Sequence, residues 1–67
     1  MQLETTNQIH VIGVYLGINS AYCFGRWYKG NFEVLLVKDS HNKEFILREA
    51  QTLGKIFDAE IIIENDN

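Results

Sequence analysis

A chain of 67 residues with nine acidic and six basic side chains, a net charge of -3 and 46% hydrophobic content has the composition of one small folded domain, not of a disordered segment. At this size only about 60% of the unfolded surface can be buried, so stability is marginal without a staple or a partner. The single cysteine excludes an internal disulfide and a cysteine-rich zinc site, and the acidic balance weighs against non-specific phosphate binding.

Residues 1–7, MQLETTN, are polar and read as a flexible N-terminal arm. They lack a cationic start followed by an apolar run, and no later apolar run reaches the ~18 residues of a membrane span. The expectation is a cytoplasmic protein with no membrane partner. From Gln8 the pattern becomes IHVIGVYLG, with Ile9, Val11 and Tyr15 on one side and His10, Ile12, Val14 and Leu16 on the other. Apolar residues on both sides suit a strand in the middle of a sheet. GINS supplies a turn.

The second strand is AYCFGRWY, with Tyr22, Phe24, Arg26 and Tyr28 on one face and Ala21, Cys23, Gly25 and Trp27 on the other. KGN reads as a tight hairpin turn with Gly30 or Asn31 at positive φ. FEVLLVKD follows as the third strand, Phe32, Val34 and Leu36 alternating with Glu33, Leu35 and Val37. Three strands joined by short turns predict an antiparallel meander.

Asp39, Ser40 or Asn42 then offers a cap for a helix from Lys43 to about Phe57. Ile46, Ala50, Leu53 and Phe57 form its apolar stripe; Glu44, Arg48, Gln51, Thr52 and Lys55 lie opposite. Glu49 borders the stripe, where a partly buried ion pair fits. Gly54 weakens the helix by roughly 1 kcal/mol relative to alanine and suggests close approach to the sheet. AEIIIE over 59–64 is a last strand, and residues 65–67 read as a polar tail. The prediction is a single α+β domain over 1–67, β-β-β-α-β, with the helix packed on one sheet face.

One helix covers one face, yet the first three strands are apolar on both. The uncovered parity therefore calls for another molecule. Grouping the aromatics with their basic neighbours makes Tyr22, Phe24, Arg26, Tyr28 and Lys29 the candidate partner-binding residues, because such side chains combine apolar area with directed hydrogen bonds. The function expected is a small non-catalytic protein-interaction or regulatory module, oligomeric, acting through an aromatic sheet face or an edge. A nucleic-acid-binding regulator using Arg26, Lys29 and the strand-two aromatics is the alternative. An enzyme with a pocket between subunits is the third reading.

Catalytic and cofactor motifs give little support to that third reading. The glycines are scattered, without a phosphate-binding loop, and no cofactor or metal is implied. His10 and Cys23 would form a nucleophile pair only if neighbouring strands set them side by side. Asp39, Asp58, Glu60, Glu64 and Asp66 cluster near strand ends. The element order resembles the opening half of a ribonuclease H-like fold and the small three-strand, helix, strand domain of HicB-like antitoxins. The first resemblance implies an essential aspartate in the first strand, and HVIGVYLG contains no acid.

Overall fold

Strand pairing begins where the two-residue alternation begins. The computed structural model describes residues 8–65, so the expected arm over 1–7 and the last two residues of the expected tail lie outside the described residues. The elements are β1 (Gln8–Leu16), β2 (Ser20–Tyr28), β3 (Asn31–Ser40), α1 (Lys43–Phe57) and β4 (Glu60–Asn65). This is the predicted α+β fold, with a three-strand meander, one helix on the sheet face and a fourth strand. The sheet order is β3-β2-β1-β4; β1–β2 and β2–β3 are antiparallel, and β4 runs parallel to β1. The return from α1 thus places β4 beyond β1, across the sheet from β3. Asn65, expected in the polar tail, belongs to β4, paired with Leu16.

Each junction has a local cause. At the β2–β3 hairpin, Lys29 (φ 55°) and Gly30 (φ 81°) both occupy the left-handed region, as a two-residue turn matched to strand twist requires. Of the two residues expected as alternatives for positive φ, Gly30 takes it and Asn31 opens β3. Between β1 and β2 the fully buried Ser20 hydroxyl donates to the Gly17 carbonyl and accepts from the Gly17 N–H, each at 3.2 Å. Asn42 caps α1, its side chain accepting from the Phe45 N–H at 3.1 Å. The helix ends at Asp58 in the left-handed conformation (φ 54°).

The core lies between sheet and helix. Ile12, Val14 and Leu16 of β1 and Tyr22 and Phe24 of β2 are buried with Ile46 and Ala50 of α1, and Phe45, Leu47, Leu53, Ala59 and Ile61 pack around them. Gly54 sits where the helix meets β4: a Cβ there would stand 2.7 Å from Ile61 Cδ1. Phe57, expected in the buried stripe, is 42% exposed.

β3 departs from simple alternation. Phe24 faces Leu36 and Gly25 faces Val34, so Leu35 is an extra residue, a bulge. The phase of β3 changes there. Phe32 and Val34 share a face with Val37, not with Leu36 as regular alternation predicts.

Candidate protein-binding face

Side-chain parity decides what the helix covers. Ile12, Val14, Tyr22 and Phe24 lie beneath α1, with Tyr22 2% and Phe24 4% exposed. This corrects the expectation that Tyr22 and Phe24 belong to the open face: both are core residues on the helix side. Volume explains the choice. The opposite parity of the two central strands carries Gly13, Ala21, Cys23 and Gly25, too little bulk to fill the space below a helix.

That opposite parity forms an uncovered, largely apolar face. From the register it comprises Ile9, Val11, Gly13 and Tyr15 of β1, Ala21, Cys23, Gly25 and Trp27 of β2, Phe32, Val34 and Val37 of β3, and Ile62 of β4. Exposure is 58% at Ile9, 48% at Trp27, 56% at Val34, 62% at Val37 and 56% at Ile62. The small residues of β2 run along the middle as the floor of a shallow trough. Val34 and Val37 stand on one side, Tyr15 and Ile62 on the other. Between Gly13, Cys23, Val37 and Ile62 the trough deepens into a depression of about 300 Å3. At one end Trp27 and Phe32 meet edge to face, ring centroids 5.2 Å apart, and Phe32 lies over Gly25, where a Cβ would come within 2.5 Å of its Cζ.

The rim of this face is acidic. Glu60 pairs with Val11, Glu64 with Tyr15 and Asp39 with Ala21, so all three carboxylates share its side of the sheet. None of the chain's six basic residues does: they lie on the helix side, in α1 or in the hairpin turn. The face thus has an apolar centre, an aromatic end and a rim charged with one sign.

The remaining predicted residues collect at the β2–β3 hairpin, on the helix side. Arg26 donates from Nε to Glu33 at 2.8 Å and from Nη1 to Gln8 at 3.1 Å. Its guanidinium also lies 5.3 Å from the Tyr28 ring centroid, and Lys29 Nζ lies 5.4 Å from the same centroid. Arg26, Tyr28 and Lys29 are therefore together at the hairpin, on the same parity of β2 as the buried Tyr22 and Phe24 but beyond the part that α1 covers, and Arg26 already has a carboxylate partner.

Glu49 makes the ion pair its position suggested. It binds Lys38 at 3.1 Å and accepts from the Tyr22 hydroxyl at 3.0 Å. Lys38 first, then Tyr22, hold this carboxyl below its ordinary range. Burial, reinforced by Glu49, raises the Tyr22 phenol above its usual value.

The Cys23–His10 pair does not form. His10 stacks on Phe24 at 5.7 Å and touches Phe57 at 5.2 Å on the helix side, whereas Cys23 faces Gly13 on the open side. Among the described residues no three His, Cys, Asp or Glu side chains are grouped to hold a metal. β1 carries no carboxylate, so the aspartate implied by the ribonuclease H-like resemblance has no counterpart.

Trp27, Phe32, Val34, Val37 and Ile62, and not the tyrosine-rich parity, form the exposed apolar surface. The legible signal was volume, since a row of alanine, cysteine and glycine cannot line a helix-covered core.

No family model matches the chain, and no curated protein matches it. Two solved structures of an Aquifex aeolicus enzyme of the Ppx/GppA family are similar to it, with TM-scores of 0.67 and 0.68 at 13% identity. The likeness covers 88% of this chain and 26% of those chains. At that identity the similarity is one of fold, and this chain spans about a quarter of the longer enzyme.

Proposed function

We propose that this domain is a non-catalytic protein-interaction module that receives a partner on the uncovered sheet face. The observation that carries the reading is the trough itself: Val34, Val37, Trp27 and Ile62 stand roughly half exposed around a floor of small residues. Covering a few hundred square ångströms of such surface is worth several kcal/mol, at roughly 25 cal/mol per Å2. For a domain of marginal stability that is a large contribution. The rim of Asp39, Glu60 and Glu64 favours a partner segment with an apolar stripe flanked by lysine or arginine, since opposite potentials steer and orient docking.

The nucleic-acid alternative receives less support. Its stacking aromatics Tyr22 and Phe24 are buried, Arg26 is neutralised by Glu33, and the open face carries carboxylates and no basic side chain to meet phosphate. The test is affinity capture from native lysate with wild-type and Val37→Asp baits, followed by titration of the purified partner. The proposal expects binding to fall at least about tenfold with Val37→Asp while circular dichroism stays unchanged. Equal affinity for both baits would place the binding surface elsewhere.

A further inference from the structure

β3 is an edge strand in the order β3-β2-β1-β4. Among the described residues it is the longest strand, Asn31–Ser40, and nine of its ten residues are exposed. Its inner edge pairs with β2, and among the described residues no strand pairs with its outer edge. α1 packs on β1 and β2 and meets β3 from the helix side, where Lys38 Nζ lies 3.1 Å from Glu49 and a trough of about 430 Å3 opens beside Leu36 and Lys38; it adds no strand to the outer edge. Such a row of unpaired N–H and C=O groups is a template for another strand.

The residues along it are self-complementary. Glu33-Val34-Leu35-Leu36-Val37-Lys38 reads backwards as lysine, valine, leucine, leucine, valine, glutamate. Antiparallel alignment with a second copy therefore sets Val34 against Val37, Leu35 against Leu36, and Glu33 against Lys38, twice over.

In a regular strand this register would fail. Residues 33 and 38 are an odd number of positions apart and would point to opposite faces. The bulge at Leu35 removes that conflict. Glu33 pairs with Arg26 and Lys38 with Tyr22, so both charged side chains lie on the helix side; Val34 pairs with Gly25 and Val37 with Cys23, so both valines lie on the open side. A two-fold axis perpendicular to the sheet then matches Glu33 with Lys38 and Val34 with Val37 face to face.

Existing ion pairs extend the match. Glu33 is held by Arg26 at 2.8 Å and Lys38 by Glu49 at 3.1 Å, yet each keeps close to half of its side chain exposed. Across the proposed junction they form an alternating chain: Arg26, Glu33, the second copy's lysine, then its glutamate.

We infer that the outer edge of β3 is a self-association site, where two copies of this chain pair antiparallel through Glu33–Lys38 into one continuous eight-stranded sheet. The assembly is isologous, as a two-fold requires. It leaves the apolar face uncovered on both copies and does not depend on what that face binds.

Charge exchange tests the register. Molar mass by light scattering over low-micromolar to near-millimolar concentration should show wild-type dimer. Glu33→Lys and Lys38→Glu each turn both cross-strand attractions into repulsions and should weaken dimerisation about tenfold or more. Mixing the two variants should restore a dimer, because each cross-strand pair then sets a lysine of one variant against a glutamate of the other; mixing leaves the contacts within each chain unchanged. Should a variant fail to fold, hydrogen exchange on wild-type chain decides: outward β3 amides should gain protection with rising concentration. A wild-type monomer throughout, dimers indifferent to both reversals, no rescue on mixing, or concentration-independent β3 exchange would each overturn the inference.

Discussion

Gly13 and Gly25 sit on the same uncovered face, and adding one methyl group to each should have opposite consequences. An alanine Cβ at position 25 would lie 2.5 Å from Phe32 Cζ and 2.6 Å from the Glu33 carbonyl oxygen. The ring can swing away, but the carbonyl belongs to the strand paired with β2 beside the bulge. Relief therefore requires moving β3, and overpacking of this kind costs about 1–3 kcal/mol. Taking ~2 kcal/mol, the melting temperature of a domain this small should fall by roughly 8–16 °C. At position 13 no atom lies within 4 Å of the added Cβ, and the backbone is outside the left-handed region. Gly13→Ala should be neutral or stabilise by up to about 1 kcal/mol, since it lowers the entropy of the unfolded chain. Thermal and urea denaturation of the two variants side by side measure the difference. Equal losses, or a stable Gly25→Ala, would show that β2 and β3 are not paired at the bulge as described.

Further predictions follow the same geometry. Phe24→Ala should cost about 3–5 kcal/mol as a core truncation, whereas Val37→Ala on the open face should cost less than about 1 kcal/mol by urea denaturation. Lys29→Asn should stabilise the hairpin by a few tenths of a kcal/mol, because asparagine tolerates the positive φ of 55° better than lysine does; an unchanged urea midpoint would count against that turn. Ser20→Ala strands the Gly17 N–H and carbonyl and should cost about 1–3 kcal/mol. Glu49 is depressed in the folded state by Lys38 and then Tyr22, so its contribution is complete above the unfolded carboxylate value of about 4.3 and is lost as pH falls through the folded one. Tyr22 is raised, so its contribution is complete below about pH 10 and is lost as pH rises toward the folded value. Glu49→Gln should flatten the acid limb of the stability profile, and an unchanged limb would show that the Lys38 contact does not persist in solution.

The element order was readable because period and punctuation change together: alternation in IHVIGVYL, turns at GINS and KGN, then the helical spacing of Ile46, Ala50 and Leu53. The covered face was harder to read because both parities of the first two strands are rich in apolar residues. Counting rings favoured Tyr22 and Phe24 as surface anchors, whereas packing volume, which decides the matter, puts their bulk under α1 and leaves the glycine-lined side open. The bulge left no mark in the pattern, since Val34-Leu35-Leu36-Val37 is apolar whichever residue is extra. Charge placement was equally hidden. Only the register shows that Arg26 is spent on Glu33 and that every carboxylate of the open face stands at its rim. Strand β4 could be recognised from Ile61 to Ile63, but its place beside β1 depends on where α1 returns the chain, which no local pattern encodes.

The chain contains one tryptophan, and Trp27 lies on the uncovered face, 48% exposed, where it reports docking directly. Its emission and its quenching by acrylamide should be recorded as the captured partner is added to saturation. Docking on this face predicts a shift to shorter wavelength and loss of quencher access in proportion to the fraction bound. A saturated complex in which Trp27 emits and is quenched as in the free chain would contradict the account.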